Sequence, residues 1–172
     1  IHEISKFTDK ISYFKNQKTQ EGKKQALTLG ISNAKFDWLA LTDADCKPTG
    51  PMWLKSMVAC LNNNQKIILG YAPYQFTPGI LNRFIRFECC FNALQYLSAS
   101  QAGFPYMGSG RNLMYHKTVF KPIALQNEKI YGDDDLLINA VSDSKNTTNC
   151  LIPDSFIYSE AKRTYARYFK QR

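Results

Sequence analysis

Two groups of carboxylates in this chain have the type and spacing to do chemistry. Asp43-Ala44-Asp45 follows the apolar run of residues 36–41, and Asp133-Asp134-Asp135 follows Tyr131-Gly132. Two carboxylates one residue apart suit a metal ion that takes oxygen ligands and shares them with phosphate. Acidic residues at the exit of a strand also sit where open α/β sheets bind their ligands. The first pair therefore reads as a metal and phosphate site. The second group opens an apolar helical pattern, where capping and the helix dipole account for one or two acids. A third acid crowds like charge, which raises at least one pKa and suits a general base. On the residues alone, capping and catalysis both stand for this cluster. A third feature, Gly22-Lys23-Lys24-Gln25, puts cations and free N–H groups at a helix start, a natural anion site. It reads equally as a solvated basic turn, because the fuller phosphate-loop pattern is missing.

The elements that must position these groups follow from periodicity. Ala26, Leu27, Leu29 and Ile31 are spaced as a helix ending by Asn33 or Ala34, and residues 36–42 read as a strand buried inside a sheet. Thr49 or Gly50 then caps a helix with Pro51 in its first position. Its apolar face is Trp53, Leu54, Met57, Val58 and Leu61. Ile67-Ile68-Leu69-Gly70-Tyr71 is the next buried strand, and helices alternating with strands indicate an α/β sheet. Thr77 is the expected cap of a longer helix in which Ile80, Phe84, Phe87, Phe91 and Leu94 recur at three- and four-residue spacing. Leu81, Ile85 and Tyr96 widen that stripe, while Arg83, Arg86 and Glu88 interrupt it. The stripe reads as core-facing, with a membrane-surface helix as the sharper alternative, since aromatics beside Arg suit an interface.

A loop with three glycines, residues 102–110, allows close approach to a ligand. A short strand follows at 111–115, with His116 expected to be a surface or structural residue. Residues 136–141 continue the helix begun by the Asp cluster. Residues 150–160 read as a strand with an edge proline, and 161–172 as a basic aromatic helix. Ahead of all this, residues 4–7 suggest a helix and 11–14 a strand.

At 172 residues with 44% apolar and 21% charged residues, the chain is globular in composition, long enough for a core, and shows no linker or repeat. Its 22 Lys+Arg against 14 Asp+Glu give a charge of +8, which favours anionic partners without naming them. The five cysteines are odd in number and lack C-x-x-C spacing, so buried free thiols in a reducing compartment fit better than disulfides or zinc. No secretory signal and no apolar run of about 18 residues is visible. The chain starts without Met and reads as a soluble internal fragment.

In this order the motifs resemble those of the inverting family 2 glycosyltransferases. Gly22-Lys23-Lys24-Gln25-Ala26-Leu27 looks like the family's G-K-x-x-A-L helix start, and Asp43-Ala44-Asp45 like its D-x-D. Gly108-Ser109-Gly110-Arg111-Asn112-Leu113 looks like its G-x-N-L loop. Gly132-Asp133-Asp134-Asp135-Leu136 looks like E-D-x-D-L, with Gly132 in place of the usual Glu. Gln171-Arg172 falls where membrane-bound members carry Q-x-x-R-W. The resemblance implies the nucleotide-diphospho-sugar transferase (GT-A, Rossmann-like) fold, a mixed central sheet flanked by helices. It makes residues 1–172 a single partial catalytic domain, truncated at both ends and without the first strand and base-gripping loop.

The resemblance also implies roles. A divalent cation, Mg²⁺ or Mn²⁺, would be held by Asp45, with Asp43 on the ribose or a metal-bound water. The base that takes the acceptor hydroxyl proton would be Asp133, or Asp134 in the alternative register. Lys23 would contact the nucleotide or its phosphates, while Gly110, Asn112, Gln171 and Arg172 would serve the acceptor side. The partners are a nucleotide-diphospho-sugar and a glycan or lipid-linked acceptor, with no nucleic acid. The parent protein would be membrane-anchored through segments outside this chain, at the cytoplasmic face of the cell membrane. Two rival readings are a metal-dependent phosphohydrolase or nucleotidyltransferase, which also pairs Asp near a strand end, and a basic nucleic-acid-binding module. The latter needs stacking aromatics among clustered cations, a pattern confined to residues 162–172.

Overall fold

The computed structural model describes Phe14 and residues 24–62, 64–119 and 133–171; Lys24, residues 133–136 and Gln171 are described by backbone alone. Lys23, Arg172, the Tyr131-Gly132 turn and the expected elements near residues 4–7 and 11–14 lie outside these residues, apart from Phe14, which is exposed.

A four-stranded mixed sheet forms the centre, in the order β1 (Trp38–Leu41), β4 (Leu113–His116), β3 (Ile67–Gly70), β5 (Thr147–Cys150). β4 runs antiparallel to both β1 and β3, while β3 and β5 are parallel. β3 is one of the two inner strands and is buried along its whole length, as its run Ile-Ile-Leu-Gly requires of a strand covered on both faces. Successive side chains on a strand point to opposite faces, and the core divides accordingly. Ile67, Leu69, Leu113 and Tyr115 face one side and pack with α1 (Lys24–Asn33), α3 (Ile80–Gln101) and α4 (Asp133–Val141) through Ile31, Ala93, Tyr96, Leu97, Leu137 and Ile138. Ile68 and Met114 face the other side and pack with Met57 of α2 (Trp53–Ala59) and with Cys150.

A second, two-stranded sheet pairs β2 (Cys46–Pro48) antiparallel with β6 (Ile157–Ser159), with Cys46 opposite Ser159. The sequence gives no hint of β2, because Cys-Lys-Pro has neither alternation nor length. This small sheet fixes the chain directly after the Asp43-Ala44-Asp45 turn. α5 (Tyr165–Gln171) closes the described chain.

Several expectations are corrected. β1 is an edge strand among the described residues and only half-buried, because it has a partner on one side alone. In α2 the N-cap is Met52, with Pro51 in the preceding turn, and Leu54 and Val58 are exposed. The N-cap of α3 is Gly79, at a positive φ of 125° that favours glycine, not Thr77. The Thr77 N–H is instead bonded by the Asn82 side-chain oxygen at 3.0 Å. The far end of α3 is a Schellman turn: Phe104 N–H donates to Ala99 O, Gly103 N–H donates to Ser100 O, and Gly103 takes φ 91°. Residues 150–160 form β6 and a 3-10 turn at Pro153–Ser155 rather than one strand.

The largest correction concerns α3 itself. Ile80, Phe84, Phe87, Phe91 and Leu94 face outward, each more than half exposed. The buried side is Leu81, Asn82, Ile85, Ala93, Tyr96 and Leu97. Both stripes have helical spacing, so the pattern could not tell which of them meets the sheet.

Candidate functional site

The Asp43-Ala44-Asp45 turn leaves β1 at its carboxyl end and is held by a Cys46 N–H to Asp43 O bond of 3.0 Å. Asp43 is half-buried and Asp45 exposed. Asp43 lines a cleft of about 380 Å³ whose walls come from α3 (Glu88, Cys89, Asn92), the segment after β3 (Tyr71, Tyr74) and the glycine loop 108–111. A smaller recess of about 50 Å³ continues it, sharing Asp43, Tyr74, Arg111 and Tyr168 and adding Asp45, Glu160 and Lys162. On its far side Asp45 borders a basin of about 390 Å³ rimmed by Lys47, Lys162, Arg163 and Arg167. The acidic pair thus stands between a polar cleft of mixed charge and a mainly cationic basin.

The glycine loop is brought there by Asn112. This side chain is fully buried, and every polar atom in it is used. Trp53 Nε1–H donates to Asn112 Oδ1 (3.0 Å), and Asn112 Nδ2 donates to Tyr71 O (2.9 Å) and Ser155 O (2.8 Å). One amide ties α2, the end of β3 and the turn before β6 together. Asn112 therefore sits behind the cleft wall rather than in it, and holds the loop that contains Gly110. Two glycines leave room for this. A Cβ on Gly70 would meet Asn112 Nδ2 at 2.5 Å, and one on Gly108 would meet Leu69 Cδ2 at 3.0 Å.

Arg111, next to that amide, is a site residue that motif reading missed. Its guanidinium donates to Ser159 Oγ (2.7 Å) and Cys89 Sγ (3.3 Å) and lies 4.4 Å from the centre of the Tyr74 ring. Burial alone would lower its pKa, but Tyr74 and Cys89 outweigh that and raise it, so the cation is fixed. It lines both the cleft and the recess beside Asp43. The available signal was a charged residue between a glycine turn and a buried Asn. Nearby, Cys46 has its thiol pushed up, first by burial and then by the Asp45 charge. Glu160 was also missed; it follows β6, as Asp45 precedes β2, so the register pair Cys46–Ser159 brings the two acids to one rim. Glu88 accepts a 2.6 Å bond from Tyr168 Oη, joining α3 to α5 across the mouth of the cleft.

Of the residues expected from sequence, Asp43, Asp45 and Gly110 share this region. Asp133 and Asp134 form the first turn of α4, with side chains outside the described set. That helix is anchored by buried Leu137 and Ile138, and its Ser142 Oγ donates to Pro105 O (3.0 Å) in the glycine-loop segment. Gln171 ends α5. His116 packs edge-on against Trp38 at 5.4 Å and faces Thr118, a structural position.

Among the described residues, no three His, Cys, Asp or Glu side chains converge to enclose an ion. The oxygen-only donor set at Asp43 and Asp45 fits a cation that takes one or two protein ligands and completes its shell from substrate phosphate and water.

A strand-end acidic pair, a glycine loop and a mixed sheet flanked by helices define an α/β transferase-like frame. The pattern of glycosyl transferase family 2 matches residues 1–121, which is most of the chain. The chain belongs to glycosyl transferase family 2, and its mixed α/β architecture is the GT-A-like fold of that family. The match includes Asp43, Asp45 and Asn112 and ends before Asp133. No curated protein matches the chain. A solved structure, titled as the crystal structure of a mycobacterial protein, is similar at 13% identity and a TM-score of 0.45. The similarity covers 92% of this chain and 48% of that one, so the chain spans about half the length of that protein.

Proposed function

We propose that this chain is part of the catalytic domain of a glycosyltransferase of hexosyltransferase type, using a nucleotide-diphospho-sugar donor. The acceptor is a hydroxyl on a glycan, a growing polysaccharide or a lipid-linked sugar. The observation that carries the reading is the setting of Asp43 and Asp45 in a family 2 chain: a polar cleft on one side and the Lys47, Lys162, Arg163 and Arg167 rim on the other. A sugar nucleotide needs both, a polar pocket for the sugar hydroxyls and positive charge for the diphosphate. Asp45, assisted by Asp43, would hold Mg²⁺ or Mn²⁺; when bound, that ion neutralises charge building on the leaving diphosphate. Arg111 adds a fixed cation at the same place, and Lys23 is assigned to the nucleotide side.

The transfer is inverting. Asp133, with Asp134 as the alternative, removes the acceptor hydroxyl proton on the face opposite the departing diphosphate. Gly110 shapes the acceptor approach, Asn112 holds its loop, and Gln171 and Arg172 complete the acceptor end. The parent protein works at the cytoplasmic face of the cell membrane. A panel of nucleotide-diphospho-sugars incubated with the full-length protein and Mg²⁺ or Mn²⁺ tests the reading. Sugar transfer to added acceptor supports it. Release of phosphate or nucleotide transfer without any glycosidic product would favour the phosphohydrolase or nucleotidyltransferase alternative.

A further inference from the structure

Among the described residues the outward stripe of α3 lines no part of the cleft, and α5 is the element it meets. Ile80, Phe84, Phe87, Phe91 and Leu94 are 78%, 51%, 66%, 52% and 63% exposed, and they follow one another at helical spacing along a helix of 22 residues. Phe87 and Phe91 stack on each other at 6.1 Å instead of reaching into the core. The stripe continues onto α5. Phe84 meets Tyr168 edge-on at 6.1 Å, Tyr168 meets Phe169 at 5.4 Å, and Tyr165 and Phe169 are themselves exposed. A contiguous apolar face of this kind on a soluble domain marks an interaction surface.

Charge identifies the occupant. Arg83 and Arg86 flank the stripe on α3 and Lys170 lies on α5, all three exposed. Glu88 accepts from Tyr168 and Glu160 is offset by Arg163 at 3.7 Å. Two copies meeting through this face would set cation against cation. Anionic headgroups would instead meet a cationic rim, with the aromatic rings entering the acyl boundary beneath them. No described helix is long and apolar enough to cross a membrane, so the face lies on a bilayer rather than through it.

We propose that α3 and α5 form a docking face for an anionic phospholipid surface, seated by Phe84, Phe87, Phe91 and Leu94 and oriented by Arg83 and Arg86. The proposal deepens the membrane placement given above by naming the surface. It also puts the mouth of the cleft, where Glu88 and Tyr168 meet, beside the bilayer.

Flotation with phosphatidylcholine vesicles, with and without phosphatidylglycerol, tests it without any sugar donor. Failure here therefore leaves the transferase reading standing, and failure of the donor screen leaves this one. The chain should float with the anionic vesicles and less so as salt rises. Phe87→Glu with Phe91→Glu should lower the bound fraction by about tenfold or more. Arg83→Gln with Arg86→Gln should remove the preference for anionic over neutral vesicles. Because all four side chains are exposed, the melting transition should not move, and a milder Phe87→Ser serves as a second stripe variant. Unchanged flotation of the stripe variants overturns the proposal. So does a wild-type chain that ignores vesicles, or a concentration-dependent dimer that Phe87→Glu dissolves.

Discussion

Replacing Asn112 with leucine tests the claim that one buried amide assembles the cleft wall. Leucine keeps the branching and heavy-atom count of asparagine and is larger, so the change deletes hydrogen bonds without leaving a hole. It removes the partners of Trp53 Nε1, Tyr71 O and Ser155 O at 3.0, 2.9 and 2.8 Å. Each buried polar group left without a partner costs about 1–3 kcal/mol. Trp53 and Tyr71 are half-buried and regain some water, which holds them near the lower end. The expected loss is about 3–5 kcal/mol, a large share of the roughly 5–15 kcal/mol typical of a domain. Urea denaturation followed by tryptophan fluorescence measures it, and Trp53 reports the lost contact directly. A shift of less than about 1 kcal/mol would refute the argument, because it would mean that the three bonds are worth no more than their solvation.

Other expectations follow from the same geometry. Gly70→Ala should destabilise the fold and perturb the same loop, since its Cβ would sit 2.5 Å from Asn112 Nδ2 and 2.9 Å from Asn112 O. Circular dichroism melting compares it with Gly50→Ala, where nothing lies within 4 Å of the added carbon. Arg111→Met should weaken binding of a nucleoside diphosphate by about tenfold or more while leaving the fold intact, read by calorimetry. Cys60 has its thiol pushed up to about 12 by burial and by Cys150. Only the thiolate attacks alkylating agents, so Cys60 should resist iodoacetamide near pH 8 and gain reactivity only as the pH climbs toward that raised value. Exposed Cys90 should be labelled first, and mass spectrometry after digestion gives the order.

Much of the frame was legible in the sequence because its strands carry unambiguous patterns. The run Ile67-Ile68-Leu69-Gly70 bears β-branched residues between turn signals, and it is an inner strand buried along its length. Asp43 and Asp45 were legible because two acids at the end of an apolar run have few structural explanations. The orientation of α3 was not, because a helix with apolar residues on two sides has two candidate core faces. Only the sheet decides, and it took the side with Leu81, Ile85, Ala93 and Tyr96. The β2–β6 pair was illegible for a different reason: three-residue strands are made by pairing across more than a hundred residues, as Thr49 Oγ1 donating to Phe156 O illustrates. Arg111 and Glu160 were hidden likewise, since their neighbours come from distant parts of the chain.

The proposed metal-assisted sugar-nucleotide site at Asp43 and Asp45 is separate from the proposed base at the head of α4. Two variants of the full-length protein, Asp45→Ala and Asp133→Asn, separate the two functions when donor binding and sugar transfer are measured side by side. Asp45→Ala should lose Mn²⁺-dependent donor binding, whereas Asp133→Asn should bind donor normally and transfer no sugar. Near-normal turnover by Asp133→Asn would move the base elsewhere, and metal-dependent donor binding that survives Asp45→Ala would contradict the account at its root.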